Sequence, residues 1–147
     1  MNIFQSTDGD TRLKLWFDFR EEIKGLNTRD KCIAVDNWWQ AAPLINHHLH
    51  PADIENWPNP WELLTENSYC TIARGLGMCY TLAFSGVKNV NMVEAKNRVG
   101  EEVVLVLVDN SKYILNYWPN TVISNTLDEF EVTKKIKIEN ILTKYNN

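Results

Sequence analysis

Three histidines in four positions, His47, His48 and His50, with Asp53 just beyond, are the densest set of metal-ligand side chains in this 147-residue chain. Imidazole and carboxylate are the usual donors to zinc or iron, and His48, His50 and Asp53 could chelate from an extended segment. A cysteine could complete such a set, but the chain has no other histidine and no metallohydrolase spacing surrounds these three. Solvent-facing or hydrogen-bonded loop histidines are therefore expected, with no metal or other cofactor; His48, His50 and Asp53 form the alternative metal set.

Cys70 is the second centre. Ser68 reads as a helix cap, which puts Cys70 one or two positions into a helix, where the positive helix end favours a thiolate, the nucleophilic form. A thiol also needs a base, and all three histidines precede it, so an imidazole could reach it only if the 47 to 50 loop folds back over the helix start. A buried structural thiol is the plainer expectation. With Cys32 and Cys79 it makes an odd cysteine count without a CxxC pair, which fits reduced thiols in a cytosolic setting. Arg74-Gly75-Leu76-Gly77 lacks the full glycine spacing of a phosphate loop and lies inside a helical pattern.

The elements that would position these groups follow from periodicity and punctuation. Asp8 to Thr11 cap a helix over about 11 to 24, ending at Gly25, and Thr28 caps a second one through about Ala42, with Ile33, Ala34, Asn37, Trp38 and Ala41 along one side before Pro43. Residues 43 to 60 hold Pro43, Pro51, Pro58 and Pro60 and make a stiff irregular segment; Asn59 and Pro60 then open a short helix, Trp61 to Glu66. The Ser68 helix runs to about Phe84, with Ile72, Ala73, Leu76, Tyr80 and Ala83 toward a core, and Gly75 and Gly77 accepted for close packing. Antiparallel strands follow at about 89 to 97, 102 to 108, 113 to 118 and 121 to 124, with a turn at Asp109-Asn110-Ser111. Val103 to Val108 is apolar throughout, so that strand should be central and covered on both faces. The tail from Phe130 to Asn147 alternates first, at Phe130 and Val132, and then looks helical, which gives it no firm place in the fold.

Composition places the chain as one globular α+β domain over residues 1–147: 44% hydrophobic and 23% charged residues suffice for a core. A net charge of −4 argues against nucleic acid as a partner, and the cluster Lys134, Lys135 and Lys137 reads as a solvated face. The polar start and the absence of a long apolar run give no expectation of secretion or of a membrane span. Of six tryptophans, Trp38, Trp39, Trp57 and Trp61 crowd one stretch. The prolines around Asn59 fix φ and set the directions of Trp57 and Trp61, so Trp57, Pro58, Pro60, Trp61 and His50 are the expected binding surface.

Two resemblances add to this. The order of a Cys-bearing helix followed by strands, over 61 to 123, resembles transglutaminase-like cysteine hydrolases, whose sheet supplies a histidine and then an acid. That implies a fold of N-terminal helices and a Cys-bearing helix packed on a small antiparallel sheet, degenerate here because Glu102 to Leu107 holds no histidine. Asn116 falls at the acidic position, and Cys70, His48 and Asn116 make the alternative catalytic set. Trp57-Pro58-Asn59-Pro60-Trp61-Glu62-Leu63-Leu64, Ser68-Tyr69-Cys70 and Gly77-Met78-Cys79-Tyr80-Thr81-Leu82 resemble small tailed-bacteriophage proteins, as do Arg12-Leu13-Lys14-Leu15-Trp16 and Trp38-Trp39 to Pro43. This implies a non-enzymatic virion structural or assembly protein of the tail, neck or baseplate region. Its partners would be other virion proteins, in an oligomeric ring, and it would pass from host cytoplasm to virion. A cysteine hydrolase or acyltransferase using Cys70, and a phage factor binding a host protein, are the alternatives.

Overall fold

Asp8 starts the first helix by accepting the Asp10 N–H at 3.0 Å and the Thr11 hydroxyl at 3.0 Å. The structure is a computed structural model that describes residues 3–5, 8–45, 49–50, 52–118, 121–124 and 126–142, with the side chains at 137 and 140 left aside. Helix α1 is Gly9–Ile23 and α2 is Thr28–Gln40. Asn27, and not Thr28, caps α2, its side chain accepting the Asp30 N–H at 2.8 Å. The buried side of α2 also differs from the expected one: Cys32, Val35, Asp36 and Trp39 point inward. The helix packs on α4 and on two strands at once, so the side meeting both is buried even though it carries a carboxylate.

The proline-rich segment is anchored at both ends. Leu44 bridges to Tyr69 in parallel, and the Ile45 N–H donates to the Tyr69 carbonyl at 2.7 Å. Further on, the Trp57 indole donates to the His50 carbonyl at 2.9 Å, and the Tyr80 hydroxyl donates to the Pro58 carbonyl at 2.9 Å. Asn59 and Glu62 form a reciprocal capping box that opens α3 (Pro60–Glu66), one residue earlier than expected, and left-handed Asn67 closes it. Helix α4 is Thr71–Phe84.

Strands β1 (Val90–Lys96), β2 (Glu102–Val108), β3 (Tyr113–Trp118), β4 (Thr121–Ser124) and β5 (Glu131–Lys137) form an antiparallel sheet in the order β4-β3-β2-β1-β5. The tail, alternating and then helical in sequence, supplies an edge strand and a short helix α5 (Ile138–Leu142), and the lysine cluster lies on that edge. Strand β2 is central as its sequence predicts. Val104, Val106 and Val108 face the helices, while Val103, Leu105 and Leu107 face a second apolar cluster with Val93, Ile114 and Phe130 on the other side.

The architecture is α+β, with helices and a Cys-bearing helix on a small antiparallel sheet, as expected. Among the described residues no helix is long and apolar enough to cross a membrane.

Candidate functional site

Cys70 sits at the point where an extended segment becomes α4. Cys70 is itself the N-cap, one residue outside the helix: its Sγ accepts the Ala73 N–H at 3.5 Å, and its carbonyl accepts the Arg74 N–H at 2.9 Å. A start at Ser68 is prevented because Tyr69 is extended, paired with Leu44 and wholly buried. Capping uses the sulfur as a weak acceptor where oxygen is normal, which holds the thiol against the positive end of the helix.

The other two thiols are unlike it. Burial, followed by the charges of Asp109 and Asp36, pushes Cys32 up to about 12, and burial alone pushes Cys79 up as well. Both are locked as neutral core groups. Cys70, with 6% of its surface exposed, lies at the margin of the core.

Asn116 meets α4 from the sheet. Strand β3 carries extra residues against β4 between Ile114 and Trp118, and Asn116 has a left-handed φ of 71°. Strict alternation would turn Asn116 away from the helices once Leu115 faced them. The bulge lets both consecutive residues face α2 and α4, and Tyr117 then returns to the far side.

The Asn116 side-chain amide makes three hydrogen bonds. Its nitrogen donates to the carbonyls of Thr71 at 3.1 Å and Val104 at 3.0 Å, and its oxygen accepts the Arg74 Nε–H at 2.7 Å. It therefore clamps the residue after Cys70 to β2 and β3, with both amide hydrogens engaged and one lone pair of its oxygen taken by Arg74. Gly75 makes room for this: a Cβ there would lie 3.1 Å from the Asn116 amide nitrogen.

Behind Asn116 lies Asp36, fully buried, whose Oδ1 accepts the Asn116 N–H at 3.0 Å and the Gln40 amide at 3.3 Å. Burial raises the Asp36 pKa, opposed by hydrogen bonds from Asn116, Gln40 and the Thr121 backbone and by the charge of Arg74. Its folded-state pKa lies above the unfolded value of about 3.9. In the window between the two, the folded state holds a proton that the unfolded chain has released, so stability falls as pH rises through it. Asp36→Asn keeps the acceptor for Asn116 and abolishes that decline. Its urea-unfolding free energy should gain on wild type as pH rises from about 4, then level off. A difference that stays flat between pH 3 and 8 would refute the assignment.

Sequence reasoning missed Asp36, whose only signal was an acid among the apolar residues of α2, and it treated Arg74 only as part of a failed glycine motif.

The expected binding residues divide. Trp57, at 5% exposure, with Pro58 and Pro60, is part of the core lid, whereas Trp61, at 46%, and His50 are exposed. His50 Nδ1 accepts the Ala52 N–H at 3.1 Å, which leaves the proton of a neutral ring on Nε2. Asp53 Oδ1 accepts the Asn56 amide at 2.8 Å within its own turn. His47 and His48 lie outside the described residues. Leu49 and His50 line a cavity of about 640 Å³ together with Thr71 and Ile72 at the start of α4. Among the described residues no three or more His, Cys, Asp or Glu side chains gather to hold a metal ion.

No family model matches the chain, and no curated protein does. Solved structures of Legionella pneumophila LapG share its fold. The calcium-bound form is 14% identical with a TM-score of 0.71 and covers 92% of this chain and 81% of its own. A second LapG structure has 14% identity, a TM-score of 0.70 and coverage of 91% and 78%; the EGTA-treated form has 14%, 0.69, 91% and 77%. The fold is transglutaminase-like. This overturns the expectation of a non-enzymatic virion structural protein. The grounds for that expectation are the Trp- and Pro-rich loop, the missing catalytic partners and a resemblance to phage proteins. Over 92% of its length the chain instead follows the fold of LapG.

Proposed function

We propose that the chain is a cysteine-dependent hydrolase or acyltransferase, with Cys70 as nucleophile and the 47 to 50 loop as the source of the base. One observation carries this reading: the described ends of that loop flank Cys70. Ile45 is bonded to Tyr69, the residue before Cys70, and His50 shares a cavity with Thr71, the residue after it. The transglutaminase-like fold supports it. A base from the loop replaces the strand histidine that β2 lacks, and Asn116 acts as a positioning residue that fixes the helix start.

In the reaction, a loop imidazole takes the Cys70 proton and the sulfur attacks an acyl carbon. The bond from that carbon to its nitrogen or oxygen breaks, and the leaving group receives the proton. Water, or an amine, then attacks the thioester and releases Cys70.

The test combines labelling with turnover. Iodoacetamide should modify Cys70 in the folded protein and spare Cys32 and Cys79, as read by peptide mass spectrometry. Hydrolysis of a panel of fluorogenic peptides, amides and thioesters should vanish in Cys70→Ser and fall about a hundredfold or more when the histidine acting as base is replaced by alanine. Turnover that survives Cys70→Ser, or a Cys70 as unreactive as the two core thiols, would end the proposal.

A further inference from the structure

The cavity beside His50 does not stop at the start of α4. A second cavity, of about 310 Å³, lies on the β3 side, and the two share Thr71, Glu102, Val103 and Val104. Together they form one groove that crosses the beginning of β2 and passes the residue next to Cys70. A groove that runs on both sides of Thr71, the residue after Cys70, suits an extended chain.

The charges of the second cavity are arranged unevenly. Its one cation among the described residues, Arg74, is turned inward: Nε donates to Asn116 and the charge of Asp36 lies behind it. Its carboxylates, Glu101 and Glu102, are both exposed, and among the described residues neither has a salt-bridge partner. Glu101 is held in place by Asn97, whose amide nitrogen donates to Glu101 Oε1 at 3.1 Å and whose oxygen accepts the Glu101 N–H at 2.9 Å.

The outer wall is Trp118, 56% exposed and set edge-on against Tyr117 at 5.0 Å. An exposed indole lining the same cavity as two carboxylates that lack a salt bridge among the described residues, with Lys96 across from Glu102 on β1, matches a cationic side chain: the aliphatic stem lies over the ring while the charged end meets the carboxylates.

We infer that the second cavity is a subsite for a lysine or arginine side chain of a polypeptide substrate, held by Trp118 and Glu102 beside the acyl group presented to Cys70. This rests on the proposed function for the chemistry at Cys70, but the recognition can be measured without it.

The experiment uses full-length Cys70→Ser protein and fluorescein-labelled seven-residue peptides that differ only at the central position, carrying lysine, arginine, norleucine or glutamate. Fluorescence polarisation should give Kd values about tenfold lower for the basic peptides than for norleucine, with glutamate the weakest. Glu102→Gln and Trp118→Ala, each checked for an unchanged melting temperature, should each cut that preference to about threefold or less, and raising the salt should shrink it in the parent protein.

Equal binding of all four peptides overturns the inference, as does a basic preference that both replacements leave intact. Turnover by wild type with no charge preference defeats the subsite and leaves the hydrolase standing. A charge preference with no Cys70-dependent turnover does the reverse.

Discussion

Thr81→Val should lower stability by about 3–5 kcal/mol, the cost of stranding two buried donors at about 1–3 kcal/mol each. The Thr81 hydroxyl is the meeting point of three helices. It accepts the indole N–H of Trp16 at 2.9 Å and that of Trp39 at 2.9 Å, and donates to the Gly77 carbonyl at 2.7 Å. All three groups are fully or almost fully buried, so water cannot replace the lost oxygen. Valine has nearly the same shape, which leaves packing almost untouched and isolates the polar loss.

For a chain of this size the melting temperature should drop by about 10 °C. Thr81→Ser, which keeps the hydroxyl, should lose much less. In a Trp39→Phe background one donor is already gone, so the valine replacement should cost roughly half as much. A loss below about 1 kcal/mol, or the same loss in both backgrounds, would show that the shared hydroxyl is not what joins α1, α2 and α4.

Gly77→Ala should destabilise the protein by about 2–3 kcal/mol even though alanine is the better helix former. A Cβ at position 77 would lie 2.4 Å from the Trp39 ring, far inside contact distance. That ring cannot retreat easily: its nitrogen is tied to Thr81 and its faces and edges meet Phe4, Trp38 and Tyr69. Helix propensity favours the change by about 1 kcal/mol, while overpacking a filled core costs typically 1–3 kcal/mol and more when nothing can yield. The clash should win. A shorter ring in Trp39→Phe should recover part of the loss in the double variant, as measured by denaturant midpoint. If Gly77→Ala proves neutral or stabilising, α2 and α4 are not packed this closely.

Both expectations concern the same local feature, the close approach of α2 to α4, and it bears on the candidate site. Helix α4 carries Cys70 at one end and Gly77 near its middle, and α2 carries Trp39 and, one turn away, Asp36 beneath Asn116. A shift of α4 against α2 would therefore also disturb the clamp that fixes Thr71. Variants that loosen this packing should depress any Cys70-dependent turnover beyond their loss of folded protein.

How far the sequence reaches depends on the range of the interaction that decides each feature. The capping box of Asn59 and Glu62, the aliphatic run of β2 and the turn at Asp109 to Ser111 are governed by neighbours a few positions apart, and they stand where their residues predict. The dependence of any Cys70 chemistry on the early histidine loop was equally legible, because chain order alone excluded a histidine from the strands.

Pairing between distant segments is another matter. Tyr69 is held extended by Leu44, and this moves the start of α4 past Ser68 and makes Cys70 the cap. The burial of Asp36, the bulge that turns Asn116 toward the helices, the edge strand made by the tail and the groove shared by Glu102 and Trp118 also arise only when remote residues meet. A side chain's period can be read along one segment, but the partner that satisfies or buries it is chosen by the packing of the whole chain.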